Sequence, residues 1–413
     1  MSTLVHSAPR PVTSRALGVT VVVVAVACAV PVAVSSLGPA LVCFALLAAL
    51  GATTTLGAAE RDRESLLAAY LVALALRVIV MLALTWGFRS PDNPGGFLYR
   101  DSIGYHRVGS DLAELHREEL PFRIAYHTTG SGLSYHRIVG YLYIAFGTSP
   151  WIGKLSNAVL GALAVLLTYG FARPLVGSRG ARMAAWMMAL WPTAIYWSAQ
   201  LLKDTLVQFL VILAAWLWVR FAARGSRWSA LLAVAAIVPL FWVRIYTFAF
   251  LAIGFYVTLV VRAWLRGQRP LAVVMVLAAV AGWSVPFELG LVQDPEVLVF
   301  RFSLNDPTTA GSMMKVLSHG GTGMAVLVPL AVVRFFLSPL PWKASGQEIM
   351  SVPGILAQYA ILPFAAYGGL LLLRRRLLEV LPAVLVVVLT VILYAFVFLG
   401  ANPRHMQMFY PFL

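Results

Sequence analysis

Along this chain, long apolar runs alternate with short polar links, and one long polar stretch, 88–134, follows the third run. The runs fall at about 17–36, 38–58, 65–87, 134–148, 152–173, 180–198, 201–222, 228–242, 245–263, 270–287, 322–338, 352–373 and 378–400. Crossing the hydrocarbon of a bilayer as a helix takes about 20 apolar residues, and several runs reach that length. The pattern predicts an all-α polytopic membrane protein of about 11 to 13 transmembrane helices. Within 88–134, the sequence from Asp101 to Ala113 predicts an amphipathic helix, with Val108, Leu112 and Leu115 on its apolar stripe.

The links set the expected orientation. Arginines gather in some of them: Arg61 and Arg63; Arg173, Arg179 and Arg182; Arg220, Arg224 and Arg227; Arg262, Arg266 and Arg269; Arg374, Arg375 and Arg376. The positive-inside rule puts such links on the cytoplasmic side. Segments 88–134, 200–204, 242–244, 288–321 and 400–413 then face outward. This topology strains at 134–148 and 322–338, which would begin and end outside, so re-entrant or oblique helices are expected there. Three regions follow: an N-terminal hairpin, 1–64; a transmembrane module, 65–287, that includes the outer loop 88–134; and a further outer loop with a C-terminal module, 288–413. The first run, behind Arg10 and Arg15, reads as a retained helix rather than a cleaved signal.

Composition sharpens this picture. Hydrophobic residues make up 61% of the 413 residues and charged residues 11%, too few to clothe a soluble protein of this size. The formal charge of +15 lies in the links, so it argues for membrane topology and against a nucleic-acid partner. Cys28 and Cys43 both fall inside apolar runs and read as small buried hydrophobes. No glycine-rich phosphate loop, Ser-His-Asp set or HExxH motif occurs, and His106, His116, His127 and His136 lack compact ligand spacing, so neither a metal nor a cofactor is expected.

Several polar residues remain as candidates for chemistry. Asp101 stands a few residues past the third run, beside Arg100 and before Tyr105 and His106. It can serve as a general base for an acceptor hydroxyl, or as a helix N-cap. Lys203 and Asp204 follow an aromatic stretch from Trp191 to Ser198, while Arg244 sits in Phe241-Trp242-Val243-Arg244-Ile245-Tyr246 and Arg404 in Asn402-Pro403-Arg404-His405. Each cation can bind a lipid phosphate at the outer face or snorkel toward water. Arg77, in the middle of its run, calls for a protein partner or a cavity.

Five stretches together resemble the GT-C membrane glycosyltransferases, in particular the protein mannosyltransferase-like and aminoarabinose transferase-like enzymes of glycosyltransferase family 39 type. Arg100-Asp101-Ser102-Ile103-Gly104-Tyr105 resembles that group's Asp-x-x-x-Tyr element in the first outer loop. Trp151-Ile152-Gly153-Lys154-Leu155-Ser156-Asn157-Ala158-Val159-Leu160-Gly161 resembles its basic-x-x-small-x-x-x-Gly helix, with lysine where arginine is commoner. Pro192 through Lys203-Asp204 is similar to its Pro-to-Lys/Pro-Asp/Glu segment, and Ser338-Pro339-Leu340-Pro341-Trp342 with Asn402-Pro403-Arg404-His405 look like late elements of bacterial members.

The resemblance implies a GT-C-like bundle and an inverting, metal-independent transfer of a sugar from a polyprenyl phosphate to a glycan, lipid or protein acceptor at the outer face of the cell membrane. Asp101 would be the general base. Lys203, Arg244 and Arg404 would hold the donor phosphate, with Arg100, Tyr105, His106, Lys154, Asp204 and His405 as further substrate-binding candidates. Membrane lipids would be the remaining partners. A transporter or flippase for an anionic lipid or solute, or a non-catalytic subunit of envelope assembly, would use the same cations and is the alternative.

Overall fold

The computed structural model describes residues 60–117, 134–281 and 352–393, with positions 48, 349, 350 and 412. The expected runs 17–36, 38–58 and 322–338, the outer loop 288–321, Cys28, Cys43, His127 and the two late motifs that end in Trp342 and His405 lie outside the described residues. Eleven helices are present among the described residues: α1 Glu60–Gly87, α2 Arg100–Arg117, α3 Ser134–Phe146, α4 Pro150–Leu190, α5 Pro192–Ser198, α6 Asp204–Arg224, α7 Arg227–Val243, α8 Ile245–Leu265, α9 Arg269–Ala281, α10 Val352–Arg375 and α11 Leu377–Leu393. Five of them are long and apolar enough to cross a membrane. The chain is an all-α polytopic membrane protein.

The described residues form two compact units. One contains those up to Leu190 together with Ser198–Leu202; the other contains Trp191–Trp197 and those from Lys203 onward.

In the first unit α1 and α4 make the frame. The two apolar runs expected at 152–173 and 180–198 are joined through Gly177, whose φ of 77° and ψ of 177° suit a residue without a Cβ. The first limb of α4 runs antiparallel to α1, with Tyr169 at Asp62 and Lys154 at Thr85. The second limb runs back beside α1, with Arg182 at Asp62, Trp186 at Ser65 and the Ala189 carbonyl at Arg77. The second run ends earlier than its hydrophobicity suggests. Pro192 has no N–H to continue the ladder and instead opens α5 at its first position.

Two polar clusters therefore mark opposite ends of this frame, about 35 Å apart along α1, close to the thickness of a bilayer core. At one end the fully buried Asp62 carboxylate accepts hydrogen bonds from Tyr169 Oη (2.7 Å), Ser178 Oγ (2.5 Å) and Arg182 Nη1 (2.9 Å). The arginine-rich links at 61–63 and 173–182 belong to this end. At the other end lies Lys154. Between them Arg77, fully buried, donates through Nη1 to the carbonyls of Ala73 (2.9 Å) and Ala189 (3.5 Å). An intramembrane arginine is thus met at Nη1 by backbone acceptors, while its Nε and Nη2 are buried without a hydrogen-bond partner among the described residues.

Helix α3 covers most of the run at 134–148. Its 13 residues reach only about 20 Å, too short to span, and it packs on α2 instead. The apolar stripe of α2 is Ser102, Tyr105, Gly109, Leu112 and Ala113, rotated from the expected Val108-Leu112-Leu115 line. The rotation follows from glycine: a Cβ at Gly109 would stand 2.7 Å from Val139 Cγ1, and one at Gly140 would stand 3.1 Å from Leu112 Cβ. The small pair allows the helices to touch backbone to backbone.

In the second unit α6, α7, α8 and α9 follow one another as neighbours, and α11 packs on α6 and α8. The Gly225 αL turn (φ 69°) closes α6, and Ser226 opens α7 by accepting from the Ser229 amide. Trp218 stacks on Phe255 at 4.5 Å and donates from Nε1 to the Leu378 carbonyl at 3.1 Å, which ties the start of α11 to α6 and α8.

Gly109→Ala should cost about 1–3 kcal/mol by overpacking α2 on α3. Gly104→Ala, on the same helix but 4.0 Å from its nearest neighbour, should cost far less. Thermal unfolding of the two variants in detergent checks the difference.

Candidate active site

The polar end of the first unit is built around a loop, 88–99, that leaves α1 and enters α2. Asn93 organises its turn, accepting from the Phe97 amide at 2.9 Å and donating to the carbonyls of Phe88 and Phe97 at 3.1 and 2.9 Å. Gly96 occupies a φ of 55°, and a Cβ there would strike the Thr85 carbonyl oxygen. Lys154, from the first limb of α4, holds the loop from beneath. Its ammonium donates to Thr85 Oγ1 at 2.8 Å, to the Gly95 carbonyl at 2.8 Å and to the Gly96 carbonyl at 3.5 Å, and lies 5.1 Å from the Phe97 ring centroid. An ammonium has three donors, and three acceptors meet them here.

The loop delivers Asp101 to the first turn of α2. The amides of Ser102 and Ile103 bond to the Tyr99 carbonyl, so Tyr99 precedes the helix and Asp101 lies inside it. The capping alternative for Asp101 is thereby replaced: its carboxylate stands in the positive field of the helix N-terminus without being the cap. Asp101 and Arg100 are exposed, while their neighbour Ser102 is buried with no hydrogen-bond partner for its hydroxyl. Ser102, Phe97, Gly96, Lys154, Gln200 and Leu201 line a narrow crevice with no room for a water molecule.

Tyr105 and His106 turn toward α3. Tyr105 is buried, its ring edge-on to Tyr135 and His136 at 4.7 Å each, which makes it a packing residue of the α2–α3 contact. His106 Nδ1 hydrogen-bonds Tyr143 Oη at 2.9 Å, and its ring lies 5.3 Å from Phe97. Burial, and then the charge of Lys154, lower the His106 pKa below the ordinary 6.5. The ring is thus neutral near pH 7, so it shares one proton with Tyr143.

Asn157, one turn beyond Lys154 on α4, holds a second break. Its amide donates to the carbonyls of Gln200 (2.7 Å) and Leu202 (2.8 Å), and its Oδ1 accepts from Tyr135 Oη (3.2 Å). This fixes the non-helical stretch that runs in sequence into Lys203-Asp204. Sequence reasoning quoted Asn157 in a motif but gave it no role; a carboxamide in an otherwise apolar helix was the available signal. Thr85, Phe97 and Asp62 were also missed, since their roles arise from contacts 57 or more residues away in the chain or from a carboxylate lost among arginines.

The second unit holds Lys203, Asp204 and Arg244. Lys203 precedes α6 and is half-buried; Asp204 begins α6 and is 1% exposed. Arg244 is the single residue between α7 and α8, with φ −158° and ψ 84°. Its carbonyl accepts from the amides of Thr247 and Phe248. Its Nη2 donates to Asp204 Oδ1 at 2.5 Å, both side chains are buried, and the guanidinium lies 5.6 Å from the Tyr246 ring. Asp204 thus orients Arg244. Asp101, Arg100, Tyr105, His106 and Lys154 belong to the first unit, these three to the second, and Arg404 and His405 lie outside the described residues.

Such an arrangement, charged side chains held at the breaks of apolar helices, defines a polytopic membrane protein with buried and boundary polar sites. The family described as dolichyl-phosphate-mannose-protein mannosyltransferase matches residues 138–285, which include Lys154, Asn157, Lys203, Asp204 and Arg244. The Bacillus subtilis strain 168 protein named "Putative mannosyltransferase YkcB" is 32% identical over 83 residues, 20% of this chain and 12% of the relative. The match thus spans about an eighth of that relative's length. No solved structure matches. The two findings support a GT-C superfamily glycosyltransferase.

Two outcomes are expected. Asp204→Leu alone removes the carboxylate from a buried guanidinium and should cost about 3–5 kcal/mol. Asp204→Leu with Arg244→Met should recover most of that loss, as equilibrium unfolding in mixed detergent would show. For His106 the unfolded chain takes its proton near pH 6.5 and the folded chain only at lower pH. Its share of stability is therefore complete above that pH and is lost as pH falls below it, levelling off once the folded pKa is passed. The melting midpoint should drop as pH falls below about 6.5, and less so in His106→Gln.

Proposed function

We propose that this protein is an integral membrane glycosyltransferase that moves a sugar from a polyprenyl phosphate to an acceptor at the outer face of the cell membrane, with inversion and with Asp101 as general base. The observation that carries this reading is the family match over residues 138–285. The names of the family and of the relative make mannose the first sugar to test.

The chemistry asks little of the protein. The acceptor hydroxyl gives its proton to the Asp101 carboxylate as its oxygen bonds to the sugar C1. The C1–O bond to phosphate breaks, and its electron pair leaves on the polyprenyl phosphate. Cations then meet the charge that develops on the leaving phosphate. Lys203, Arg244 and Arg404 take that role, and the Asp204 carboxylate holds the Arg244 fork in one orientation. Lys154 and His106 act on the loop and helix that carry Asp101 rather than on the sugar.

The outward side is supported by charge. Asp101 lies at the end of the α1–α4 frame opposite the Asp62 cluster and its arginine-rich links, which the positive-inside rule assigns to the cytoplasm.

The test is transfer from a synthetic polyprenyl-phosphate mannose in proteoliposomes. Asp101→Asn should lower the rate at least about a hundredfold while donor retention stays unchanged. Arg244→Lys should weaken donor retention instead. An Asp101→Asn variant with full transfer would overturn the assignment of the base, and a protein that moves the intact lipid without cleaving it would be a transporter.

A further inference from the structure

Three interhelical links of the second unit carry an excess of positive charge, and the fold gathers them at one end. Arg224 and Arg227 flank the turn between α6 and α7, and Arg266 and Arg269 flank the turn between α8 and α9. Arg374, Arg375 and Arg376 close α10 before α11. The Arg262 guanidinium lies 4.5 Å from the Phe221 ring, which brings the end of α8 to the end of α6. Trp218 Nε1 donates to the Leu378 carbonyl, and Glu379 is close enough to act on the charge of Arg262, which brings the start of α11 to the same place.

Among the described residues of the second unit, the charge at this end is nearly uncompensated. The seven link arginines are exposed, and Glu379, the carboxylate among these links, is 3.7 Å from Arg376. Deeper in, Arg220 and Arg262 are half-buried against aromatic faces, Arg220 at 4.9 Å from Trp216, and Arg220 Nε is buried without a hydrogen-bond partner. So many like charges repel one another unless anions come between them.

Aromatic and apolar surface says where those anions lie. Trp228 is 75% exposed and Trp264 51%, the latter beneath the Arg269 guanidinium at 5.5 Å. Leu231, Val234 and Val238 continue as exposed apolar surface along α7. Tryptophan beside arginine above such a face is the chemistry of the headgroup layer, where a guanidinium fork takes a phosphodiester while the indole rests among glycerol and acyl chains. A soluble polyanion would gain nothing from these side chains.

We propose that this end of the second unit is a binding collar for the headgroups of anionic phospholipids, with Arg220 and Arg262 as its seat and the link arginines as its rim. The collar is independent of the glycosyl-transfer reading and of Asp101, Lys203 and Arg244. It predicts retained anionic lipid on the purified protein and stabilisation by it.

The test uses the full chain, stripped of lipid in mild detergent and then titrated with phosphatidylglycerol, phosphatidylcholine or inorganic phosphate, with the melting midpoint and native mass spectrometry as readouts. Phosphatidylglycerol should bind at least about tenfold more tightly than phosphatidylcholine, and added salt should weaken it. Replacing Arg266, Arg269 and Arg375 together by Gln should weaken binding by about a hundredfold, roughly fivefold per charge, whereas replacing all three by Lys should keep most of it. Equal binding of the two lipids, or a Gln variant that binds like the parent, overturns the proposal. Inorganic phosphate acting as well as the lipid overturns it too, because the site would then be an anion site without a headgroup role. Should the Gln variant fail to fold, the comparison of the two lipids and its salt dependence on the parent chain decides.

Discussion

The structure depends on one constraint: a backbone group that leaves a helix within or beside hydrocarbon must be given a partner from elsewhere in the chain. Helix α4 supplies two such partners from adjacent turns. Lys154 meets the carbonyls of Gly95 and Gly96, and Asn157 meets those of Gln200 and Leu202. Without them, the loop before α2 and the break before Lys203 would each hold unsatisfied carbonyls, at a cost of a few kcal/mol apiece. Within the first unit, the loop that leads to Asp101 and the stretch Ser198–Leu202 therefore owe their positions to two side chains of one helix.

The same constraint explains the buried charges. Asp62 accepts from a phenol, a serine hydroxyl and a guanidinium, so its two oxygens are satisfied although it is wholly buried. Asp204 and Arg244 neutralise each other at a point where α7 gives way to α8 through a single extended residue. In both cases a carboxylate sits where a helix breaks or begins, and the ion pair fixes the geometry of that junction. Fixing a junction also fixes whatever chemistry hangs from it.

Hydrophobic pattern alone made most of the architecture legible. The spans around 65–87, 201–222, 245–263 and 352–373 appear as helices within a few residues of their expected limits, because length and apolarity leave a lipid-embedded chain few alternatives. Charge sorting was legible too, since the arginine links at 173–182, 224–227, 266–269 and 374–376 fall at Gly177 and at helix ends. What the pattern missed was set by particular residues and their contacts rather than by hydrophobicity. The face that α2 buries is decided by Gly109 meeting Val139, the break at Trp191 by the proline after it, and the duty of Lys154 by carbonyls some 58 and 59 residues earlier. None of these leaves a periodic trace. A resemblance to a family can say that a basic residue belongs at 154, but the acceptors around it say what it does.

Those acceptors also bear on why a lysine suits that place. A guanidinium spreads its donors in a plane and matches the two oxygens of one carboxylate or phosphate. At position 154 the acceptors are a threonine hydroxyl and two consecutive peptide carbonyls, which approach from different directions and carry no net charge. A compact ammonium can point its three donors at all of them, and its remaining surface faces Phe97 at 5.1 Å and Trp151 at 6.0 Å. Among the described residues, the groups around the Lys154 nitrogen are carbonyls, a hydroxyl and aromatic faces rather than an acid. Burial, and then Lys154, lower the His106 pKa. A side chain held in this way positions the loop that leads into α2 and to Asp101.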